Sequence, residues 1–396
     1  MIQMKHFLGK ALLLAAVSMF SVAGASCSGS SDNSTATTGG GSSSGGASGG
    51  GTSDGGTSGG SETSTFAKGA DISWLTEMEK DNKKFYDSKG NATECLSLLK
   101  SLGTNAIRLR VWVNPDGGWC GKDDVVAKAV RAQQLGMRIM IDFHYSDIWA
   151  DPNRQTVPAA WENYTFEQMK QAVANHTNDV LSALKAKGVD VEWVQVGNET
   201  PDGMLWGKNT GTVTSPKWDN ESADVSGRCS KNPSNFAAYV NAGYDAVKAV
   251  YPKAKVVVHV DQGQNLNRFT WLFGQLKSKG GKWDVIGMSL YPEDSSWQSD
   301  VTSCLNNINT LSKQYGCNVV ISEVGMEYSS ANASSFMKKM VDGCKAISTC
   351  EGIFYWEPEV YGGWKPANYT SLGWNAYTKG AFDNLGKPTS VFDAYK

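Results

Sequence analysis

Two glutamates, each at the end of a β-branched segment, are the residues of this sequence best suited to carry out chemistry. Glu199 ends the segment VDVEWVQVGNE together with Asn198, and Glu323 lies near the end of NVVISEVG. An Asn-Glu pair that follows a strand is, taken alone, most often part of a solvated turn. If two carboxyl groups face one cavity, however, one can protonate a leaving glycosidic oxygen while the other attacks the anomeric carbon. The pair therefore predicts glycoside hydrolysis, provided that the fold brings the two together.

Residues that could support these carboxyl groups also come at the ends of apolar segments. Arg108 and Tyr291 are candidates to hold Glu323 ionised, whereas a less compensated Glu199 is expected to stay protonated near neutral pH. Asn198 points away from Glu199 by simple alternation, so it reaches the site only if the strand bends. Further candidates for substrate contact, chosen by their position, are Arg110, His144, His259 and Trp356.

The basic candidates each have a structural alternative. Arg108 and Arg110 share one face of a strand, so at least one of them is expected to form a buried ion pair with Asp71 or Asp142. The two histidines could instead be hydrogen-bonded core residues. Their placement at strand ends favours the site.

Eight apolar segments alternate with stretches that are typical of helices. This pattern predicts eight parallel strands covered by helices, and hence a single (β/α)8 TIM barrel, an α/β fold. A doubly wound open sheet is the alternative, but no G-x-G-x-x-G or phosphate-binding loop follows any segment. In a barrel, all carboxyl ends of the strands meet at one mouth, which would collect the candidate residues. The segments are AKGADISWL, AIRLRVWV, RIMIDFHY, VEWVQVGNE, KVVVHVD, VIGMSLYP, NVVISEVG and GIFYWEPE.

The tryptophan residues are a second feature of the sequence that indicates its function. Several of the 14 lie in Gly/Pro-rich segments after strands, where a buried core would not place them. Flat aromatic rings suit sugar faces because each covers much apolar area with few rotamers to freeze. We expect Trp356 to lie under a sugar ring and Trp364 to be a remote platform, with loop packing as the equal alternative for Trp364. The loop tryptophans are Trp149, Trp206, Trp297, Trp364 and Trp374.

The first 65 residues carry signals for export and tethering. A basic start and an apolar run too short to span a bilayer predict a signal peptide over residues 1–26, with lipid attachment at Cys27. Ordinary secretion is the alternative. Residues 27–65 are Gly/Ser/Thr with almost nothing to bury, so we predict a flexible linker before a catalytic domain over 66–396. The organisation predicts a bacterial lipoprotein of the outer membrane that faces the cell exterior.

Charge and cysteine content narrow the possible partners. The 37 Lys and Arg residues nearly balance the 39 Asp and Glu residues, so the sequence lacks the excess positive charge that is typical of nucleic-acid-binding proteins. All cysteines except Cys27 fall within the predicted domain, and short separations favour the pairs Cys344–Cys350 and Cys304–Cys317, although sequence cannot fix connectivity. No cysteine or histidine spacing is typical of zinc. We therefore predict a monomer with no metal and no cofactor.

Seven segments resemble glycoside hydrolase family 53, the arabinogalactan endo-β-1,4-galactanases. The resemblance covers nearly all of residues 68–396, and its most specific part is DFHYSDIWADP, which contains Asp147 and Trp149. It implies a retaining mechanism with Glu199 as acid/base and Glu323 as nucleophile, and β-1,4-galactan of pectin side chains as the substrate. Asp147 and Trp149 are expected to contact that substrate. The segments are KGADISWL, NAIRLRVWVNP, DFHYSDIWADPNRQTVPAAW, QVGNETPDGMLW, VIGMSLYP, ISEVG and YWEPE.

Two other functions compete with this one. A barrel glycosidase of the same clan, acting on mannan, xylan or β-glucan, would keep both glutamates and differ in its loops, and DFHYSDIWADP argues against it. A surface lipoprotein that captures polysaccharide without cutting it would not need both glutamates and their polar surroundings. Some family members bind calcium after the eighth strand, but VYGGWKPANYTSLGWN has no acidic cluster to hold the ion.

Overall fold

Eight parallel strands close into a barrel, as the alternation of segments predicts. The computed structural model describes residues 66–212, 216–219 and 224–396. Neighbouring barrel strands follow the order β1-β10-β9-β8-β7-β6-β5-β4, and β1 pairs with both β10 and β4 to complete the circle. A separate two-stranded hairpin is formed by β2 (Phe85–Tyr86) and β3 (Ala92–Thr93). The barrel strands are β1 (Ala67–Asp71), β4 (Ala106–Val111), β5 (Arg138–Phe143), β6 (Trp193–Val196), β7 (Lys255–Val260), β8 (Val285–Leu290), β9 (Asn318–Val324) and β10 (Cys350–Trp356).

Helices connect the strands and cover the outside of the barrel. Thr165 and Gln168 have the residue types and the spacing that predict a capping box, and they form one: the Thr165 side chain accepts a hydrogen bond from Gln168 N, and the Gln168 side chain accepts one from Thr165 N. Among the described residues, no helix combines the length and apolar character needed to cross a membrane. The helices are α1 (Leu75–Lys80), α2 (Cys95–Ser101), α3 (Lys122–Gln134), α4 (Phe166–Ala186), α5 (Pro233–Val250), α6 (Leu266–Ser278), α7 (Trp297–Tyr315), α8 (Ala333–Lys345) and α9 (Ala367–Ser371).

The lower part of the barrel interior is apolar. Each strand contributes one buried residue to a layer in which the Trp193 and Phe354 rings, from opposite sides of the barrel, meet with centroids 5.9 Å apart. Gly69 leaves room for this packing, since a Cβ there would lie 2.2 Å from Phe354 Cδ1. The layer consists of Ala67, Ala106, Met140, Trp193, Val257, Val285, Val320 and Phe354. Packed side chains thus close the barrel from below, and the polar residues lie above them.

The ninth strand contains an irregularity that reorients one glutamate. Ile321 is paired with Met288, but Glu323 is paired with Ser289, so Ser322 is an extra residue on β9. Val320 belongs to the interior layer, and strict alternation would therefore turn Glu323 outward. The bulge restores the inward direction and is the reason why Glu323 reaches the barrel mouth.

The cysteines of the described residues all have free thiols. The expected pair Cys304–Cys317 is not bonded, and Cys344 and Cys350 lie within hydrogen-bonding range of each other without a disulfide. The predicted signal peptide, the predicted lipid attachment site Cys27 and the whole predicted linker lie outside the described residues, as do 213–215 and 220–223.

Candidate active site

A cavity of about 400 Å³ opens at the carboxyl ends of the barrel strands and holds both glutamates. Five of the other residues predicted to bind substrate line it as well, namely Asn198, His144, Trp149, Tyr291 and Trp356. The barrel mouth thus brings together side chains from β5, β6, β8, β9 and β10 and from the loops that follow them. The complete lining is His144, Trp149, Ala150, Asp151, Arg154, Asn198, Glu199, Tyr291, Glu323, Trp356, Tyr369, Trp374, Tyr377 and Lys379.

Glu323 is held by one cation and one hydroxyl group. Arg108 Nη2 lies 3.0 Å from Oε1, and the Tyr291 hydroxyl donates to Oε2 over 2.7 Å. Burial raises the pKa of Glu323 to about 6, against the lowering effects of Arg108 and Tyr291. Both contacts favour the ionised carboxylate, which is the form that a nucleophile requires.

Arg108 is the centre of the buried charge network. Its guanidinium is fully buried and contacts Asp71 at 2.7 Å and Asp142 at 2.9 Å in addition to Glu323. Its Nη2 also donates to Asn198 Oδ1 over 3.0 Å. The expected ion pair with Asp71 or Asp142 therefore exists with both aspartates, and Arg108 lies beneath the cavity, where it contacts Glu323 rather than open space.

Glu199 has no cation of this kind. Burial is the main reason why its pKa lies well above the usual range, and repulsion from Glu323 and Asp261 adds to the shift, while a hydrogen bond from Ser289 opposes it. A proton shared between the two glutamates therefore resides on Glu199. The two carboxyl groups of one cavity thus carry different charges, which is what distinguishes an acid from a nucleophile.

The strand that carries Glu199 bends at its end. Regular pairing stops at Val196, Gly197 has φ 87°, and Glu199 has φ 40°. Both Asn198 and Glu199 consequently line the cavity, although alternation predicts opposite directions. Gln155 fixes the bend, because its Nε2 donates to the carbonyl oxygens of Asn198 and Glu199 over 2.9 and 3.1 Å.

The two predicted histidines hold different places. His144 lines the cavity; its Nδ1 accepts from Trp112 Nε1 and from Ala150 N, so Nε2 carries the proton and donates to Asp142 over 3.1 Å. Burial lowers the pKa of His144, which keeps the ring neutral. His259 is fully buried behind Glu199 and does not line the cavity.

Aromatic rings form one wall of the cavity. Trp149 and Trp356 are in edge contact with centroids 6.0 Å apart, and the half-buried Trp356 ends β10, as predicted. Arg110 lies behind this wall, 4.3 Å from the Trp149 ring centroid, and pairs with Glu357 at 2.9 Å. Arg110 therefore supports the aromatic wall and does not face the cavity.

Two further predicted residues also lie outside the cavity. Asp147 accepts hydrogen bonds from Asn114 N and Ala159 N over 3.0 and 2.8 Å, so it fixes the loop after β5. Trp364 is 7% exposed, contacts Trp74, and donates from Nε1 to Asp81 over 2.8 Å. The structure thus places Trp364 in loop packing, the alternative to a platform.

Sequence reasoning missed several lining residues, all of them outside the barrel strands. Trp374 was noted as a loop tryptophan, but Tyr369 and Tyr377 were not, because nothing in a loop sequence predicts which side chain turns toward the mouth. The missed residues are Asp151, Arg154, Tyr369, Trp374, Tyr377 and Lys379. In the described residues, no cluster of three or more His, Cys, Asp or Glu side chains is arranged to hold a metal ion.

The barrel with two unlike glutamates at its mouth defines a class, the (β/α)8 glycoside hydrolases. Residues 67–340 match glycosyl hydrolase family 53, and the chain belongs to that family. It is 31% identical to an uncharacterized protein of Niallia circulans over 84% of this chain and 93% of the relative. It is 30% identical to the probable arabinogalactan endo-β-1,4-galactanase A of Neosartorya fischeri, over 74% of this chain and 83% of the relative.

A solved structure is similar throughout the barrel. The family 53 catalytic domain of Ignisphaera aggregans has a TM-score of 0.71 at 26% identity, and the match covers 85% of this chain and 97% of that one. The chain is therefore a glycoside hydrolase of known fold, and its candidate active site lies at the carboxyl ends of the barrel strands.

Proposed function

We propose that the protein is an endo-acting β-1,4-galactanase that uses a retaining double displacement, with Glu323 as nucleophile and Glu199 as acid/base. The observation that carries the proposal is the unequal surroundings of the two carboxyl groups. Glu323 is contacted by Arg108 and Tyr291, whereas the half-buried Glu199 lies near other carboxyl groups, which raise its pKa. A proton on Glu199 and a negative charge on Glu323 are the starting state that this reaction needs.

The reaction proceeds in two steps. In the first, a carboxylate oxygen of Glu323 forms a bond to the anomeric carbon while the glycosidic bond breaks, and Glu199 gives its proton to the departing oxygen. In the second, Glu199 removes a proton from water, the resulting oxygen attacks the anomeric carbon, and Glu323 leaves as carboxylate. Arg108 and Tyr291 stabilise the negative charge of Glu323 before the first step and again after the second.

The substrate assignment rests on the relatives and on the shape of the cavity. Curated relatives from Neosartorya fischeri and Bacillus subtilis carry galactanase names, at 30% and 27% identity. The aromatic wall of Trp149, Trp356 and Trp374 offers apolar faces to sugar rings. The names of these relatives describe endo-acting enzymes, and internal cutting of the polymer is proposed for this chain on that ground.

A panel of polysaccharides tests the activity. The soluble domain should release new reducing ends from galactan but not from mannan, xylan or β-glucan; release from another polymer instead would favour another barrel glycosidase, and none at all would favour a glycan-binding protein. NMR of the first product should show the β anomer. An α anomer would exclude the retaining mechanism.

Substitution of each glutamate tests the roles. Glu323→Ala should abolish turnover, and azide should restore cleavage with inverted configuration by filling the vacated space. Glu199→Ala should still attack aryl glycosides with good leaving groups, because these need little protonation. Identical behaviour of the two variants would contradict the division of roles.

We also propose that the enzyme is an outer-membrane lipoprotein anchored through Cys27. Phe66 precedes β1 and therefore enters the barrel at the face opposite the cavity. A linker of this composition separates its ends by roughly 35 Å, which is enough to hold the domain off a membrane. Cys27→Ser should release the protein from membranes; continued membrane fractionation would contradict lipid attachment.

A further inference from the structure

A serine on the strand beside the nucleophile contacts the other glutamate. Ser289 is fully buried on β8 and is paired with Glu323 in the register of β8 and β9. Its hydroxyl also lies near the Glu199 carboxyl and lowers the pKa of that group. On its other side, Ser289 Oγ lies 2.6 Å from His259 Nε2. Residues from β7 and β8 and from the end of β6 thus form a continuous chain His259–Ser289–Glu199.

The hydrogen bonds of His259 fix the direction of this chain. Its Nδ1 lies 3.3 Å from the backbone nitrogen of Glu199, a group that can only donate, and 3.0 Å from Gln195 Nε2. Asn198 Oδ1 lies 3.2 Å from the same nitrogen, but this oxygen already accepts from Arg108 Nη2 and Gln195 Nε2. Nδ1 is therefore an acceptor, and the ring proton resides on Nε2. Burial and the nearby Arg108 hold the pKa of His259 well below its usual value, so the ring is neutral. Nε2–H then donates to Ser289 Oγ, and the serine proton is left for Glu199.

We infer that His259 and Ser289 are positioning residues for the acid/base, which fix one oxygen of the Glu199 carboxyl as an acceptor and confine the acidic proton to the other. The inference rests on the proposed role of Glu199. When Glu199 is protonated, the Ser289 hydroxyl occupies its carbonyl oxygen, and the proton lies on the oxygen that faces the cavity. When Glu199 is ionised, the same hydroxyl stabilises the carboxylate that must activate water.

The same histidine also holds the backbone that carries the acid/base. Glu199 has φ 40°, in the left-handed region that non-glycine residues rarely adopt. The bond from Glu199 N to His259 Nδ1 and the bond from Thr200 N to His259 O, 2.8 Å, tie this turn to β7. One side chain thus orients both the main chain and, through Ser289, the carboxyl group of Glu199.

The pKa of Glu199 also depends on the charged groups around it, in addition to Ser289 and His259. Glu323 faces it from β9, and Asp261 and Asp151 face it from the loops after β7 and β5. Asp261 is paired with Arg268 at 2.6 Å, and Asp151 with Arg154 at 3.0 Å. The Tyr291 hydroxyl also lies within electrostatic range. The three carboxyl groups raise the pKa of Glu199, whereas the Ser289 hydroxyl lowers it.

The test compares Ser289→Ala with Ser289→Thr, which keeps the hydroxyl. Loss of the hydrogen bond to the Glu199 carboxylate should raise the pKa of Glu199. The alkaline limb, the pH range in which kcat/KM falls because Glu199 loses its proton, should therefore move upward by about one pH unit. Cleavage of galactan, a poor leaving group, should fall about tenfold or more, while kcat/KM for an activated aryl glycoside should change less than about twofold. Ser289→Thr should restore both parameters toward wild type.

The control variant is Ser312→Ala. Ser312 is also a buried serine with one hydrogen bond, 2.7 Å to Cys317 O, but it lies on α7 away from the cavity. Neither the alkaline limb nor the leaving-group dependence should change in it. An unmoved alkaline limb in Ser289→Ala, or equal losses on both substrates, would overturn the inference.

His259→Asn provides a second, independent measurement. Asparagine can still accept from Glu199 N but is too short to donate to Ser289, so the limb should move in the same direction. Added to Ser289→Ala, it should produce no further shift, because both act through one chain. Should Ser289→Ala fail to fold, an unmoved limb in His259→Asn would refute the inference by itself.

Glu199→Ala separates this inference from the proposed function. If that variant keeps the alkaline limb and the leaving-group dependence of the wild type, the acid/base role of Glu199 is wrong. If it loses the limb while Ser289→Ala leaves the limb in place, the role stands and the inference about Ser289 fails.

Discussion

Arg108 compensates three buried carboxylates at once, which makes it the residue on which the site's charge balance depends. Asp71, Asp142 and Glu323 all lie within 3.0 Å of its guanidinium. A buried charge without a partner is far more costly than a pair, because the protein interior replaces little of the lost hydration.

Replacing Arg108 should therefore destabilise the fold as well as the activity. Arg108→Met is expected to lower the free energy of unfolding by about 3–5 kcal/mol, since it leaves neighbouring carboxylates unpaired. Arg131→Met is the matched control: its guanidinium pairs with Glu79 and Glu94 but is 31% exposed, so the loss should stay below about 1 kcal/mol. Urea unfolding measures both, and equal losses would contradict the proposed network.

Tyr291 should set the acid limb of the pH profile. Glu323 must be ionised to attack, so activity is present above its pKa of about 6 and is lost as the pH falls through that value. The Tyr291 hydroxyl lowers this pKa, and Tyr291→Phe should raise it, moving the acid limb of kcat/KM upward by about one pH unit.

Tyr251→Phe is the control for this change. Tyr251 is also a buried tyrosine with one hydrogen bond, 2.7 Å to Val189 O, far from either glutamate. Its removal should leave the acid limb in place. A limb that fails to move in Tyr291→Phe would show that Tyr291 does not stabilise the nucleophile.

The sequence predicts these contacts of Glu323 because each partner ends an apolar segment. Arg108 and Tyr291 were identified in that way, and the structure places both on the carboxylate. Ser289 could not be identified, because it lies within the segment VIGMSLYP and its hydroxyl reaches Glu199 only through the register of two neighbouring strands.

Several strands end in a left-handed residue that turns the chain at the mouth. Tyr145, Glu199, Gln262 and Glu357 all have positive φ between 40° and 57°, and each follows a barrel strand closely. Such conformations cost about 1–3 kcal/mol for non-glycine residues and persist only where neighbours hold them. At the end of β6, the strained turn brings Asn198 to the cavity, although alternation would direct it elsewhere.

Gly197 permits the turn that carries Glu199. Its φ is 87°, and a Cβ would lie 2.8 Å from Thr200 Cγ2 and 3.1 Å from Met204 Sδ. Gly197→Ala should therefore displace Glu199 and lower kcat about 100-fold, because small misplacements of a catalytic group are costly.

Gly188→Ala is the control that introduces backbone strain without displacing Glu199. Gly188 has φ 72° after α4, but a Cβ there would meet nothing within 4 Å. Both variants incur about 1–2 kcal/mol of backbone strain, yet only Gly197→Ala should reduce kcat. If the two variants lose stability and activity in parallel, the turn at Gly197 does not position the acid/base.

The elements themselves were predictable, but their irregularities were not. All eight strand segments and the capping box at Thr165 follow from apolar periodicity and side-chain chemistry. The bulge at Ser322 and the bend at Gly197 depend on packing against neighbouring strands, which a single segment does not encode. The bulge directs Glu323 into the cavity, and the bend brings Asn198 to the same side as Glu199.

Across the molecule, the cavity extends from the two glutamates to an aromatic surface formed by the segment after β10, which includes α9. Tyr369 and Trp374 are in edge contact at 5.0 Å, and the Arg154 guanidinium lies 4.4 Å from the Trp374 ring centroid. Trp374 is half-buried, so one part of its ring remains open to a ligand. It therefore takes the place that the sequence assigned to Trp364.

Trp374 should bind sugar residues away from the bond that is cut. Trp374→Ala is expected to lower kcat/KM about tenfold on long galactan and less on short oligosaccharides, because remote contacts contribute binding energy that is used at the reacting bond. Trp364→Phe is the control, since Trp364 packs on Trp74 inside the loop and should not alter the ratio between kcat/KM on long and on short substrates.

Measuring viscosity together with product length tests whether the enzyme cuts inside the polymer. A rapid fall in viscosity with long products at the outset would agree with an endo-acting cavity. Early galactose with nearly constant viscosity would refute internal cutting, and an unchanged ratio in Trp374→Ala would show that the polymer does not lie across this end of the mouth.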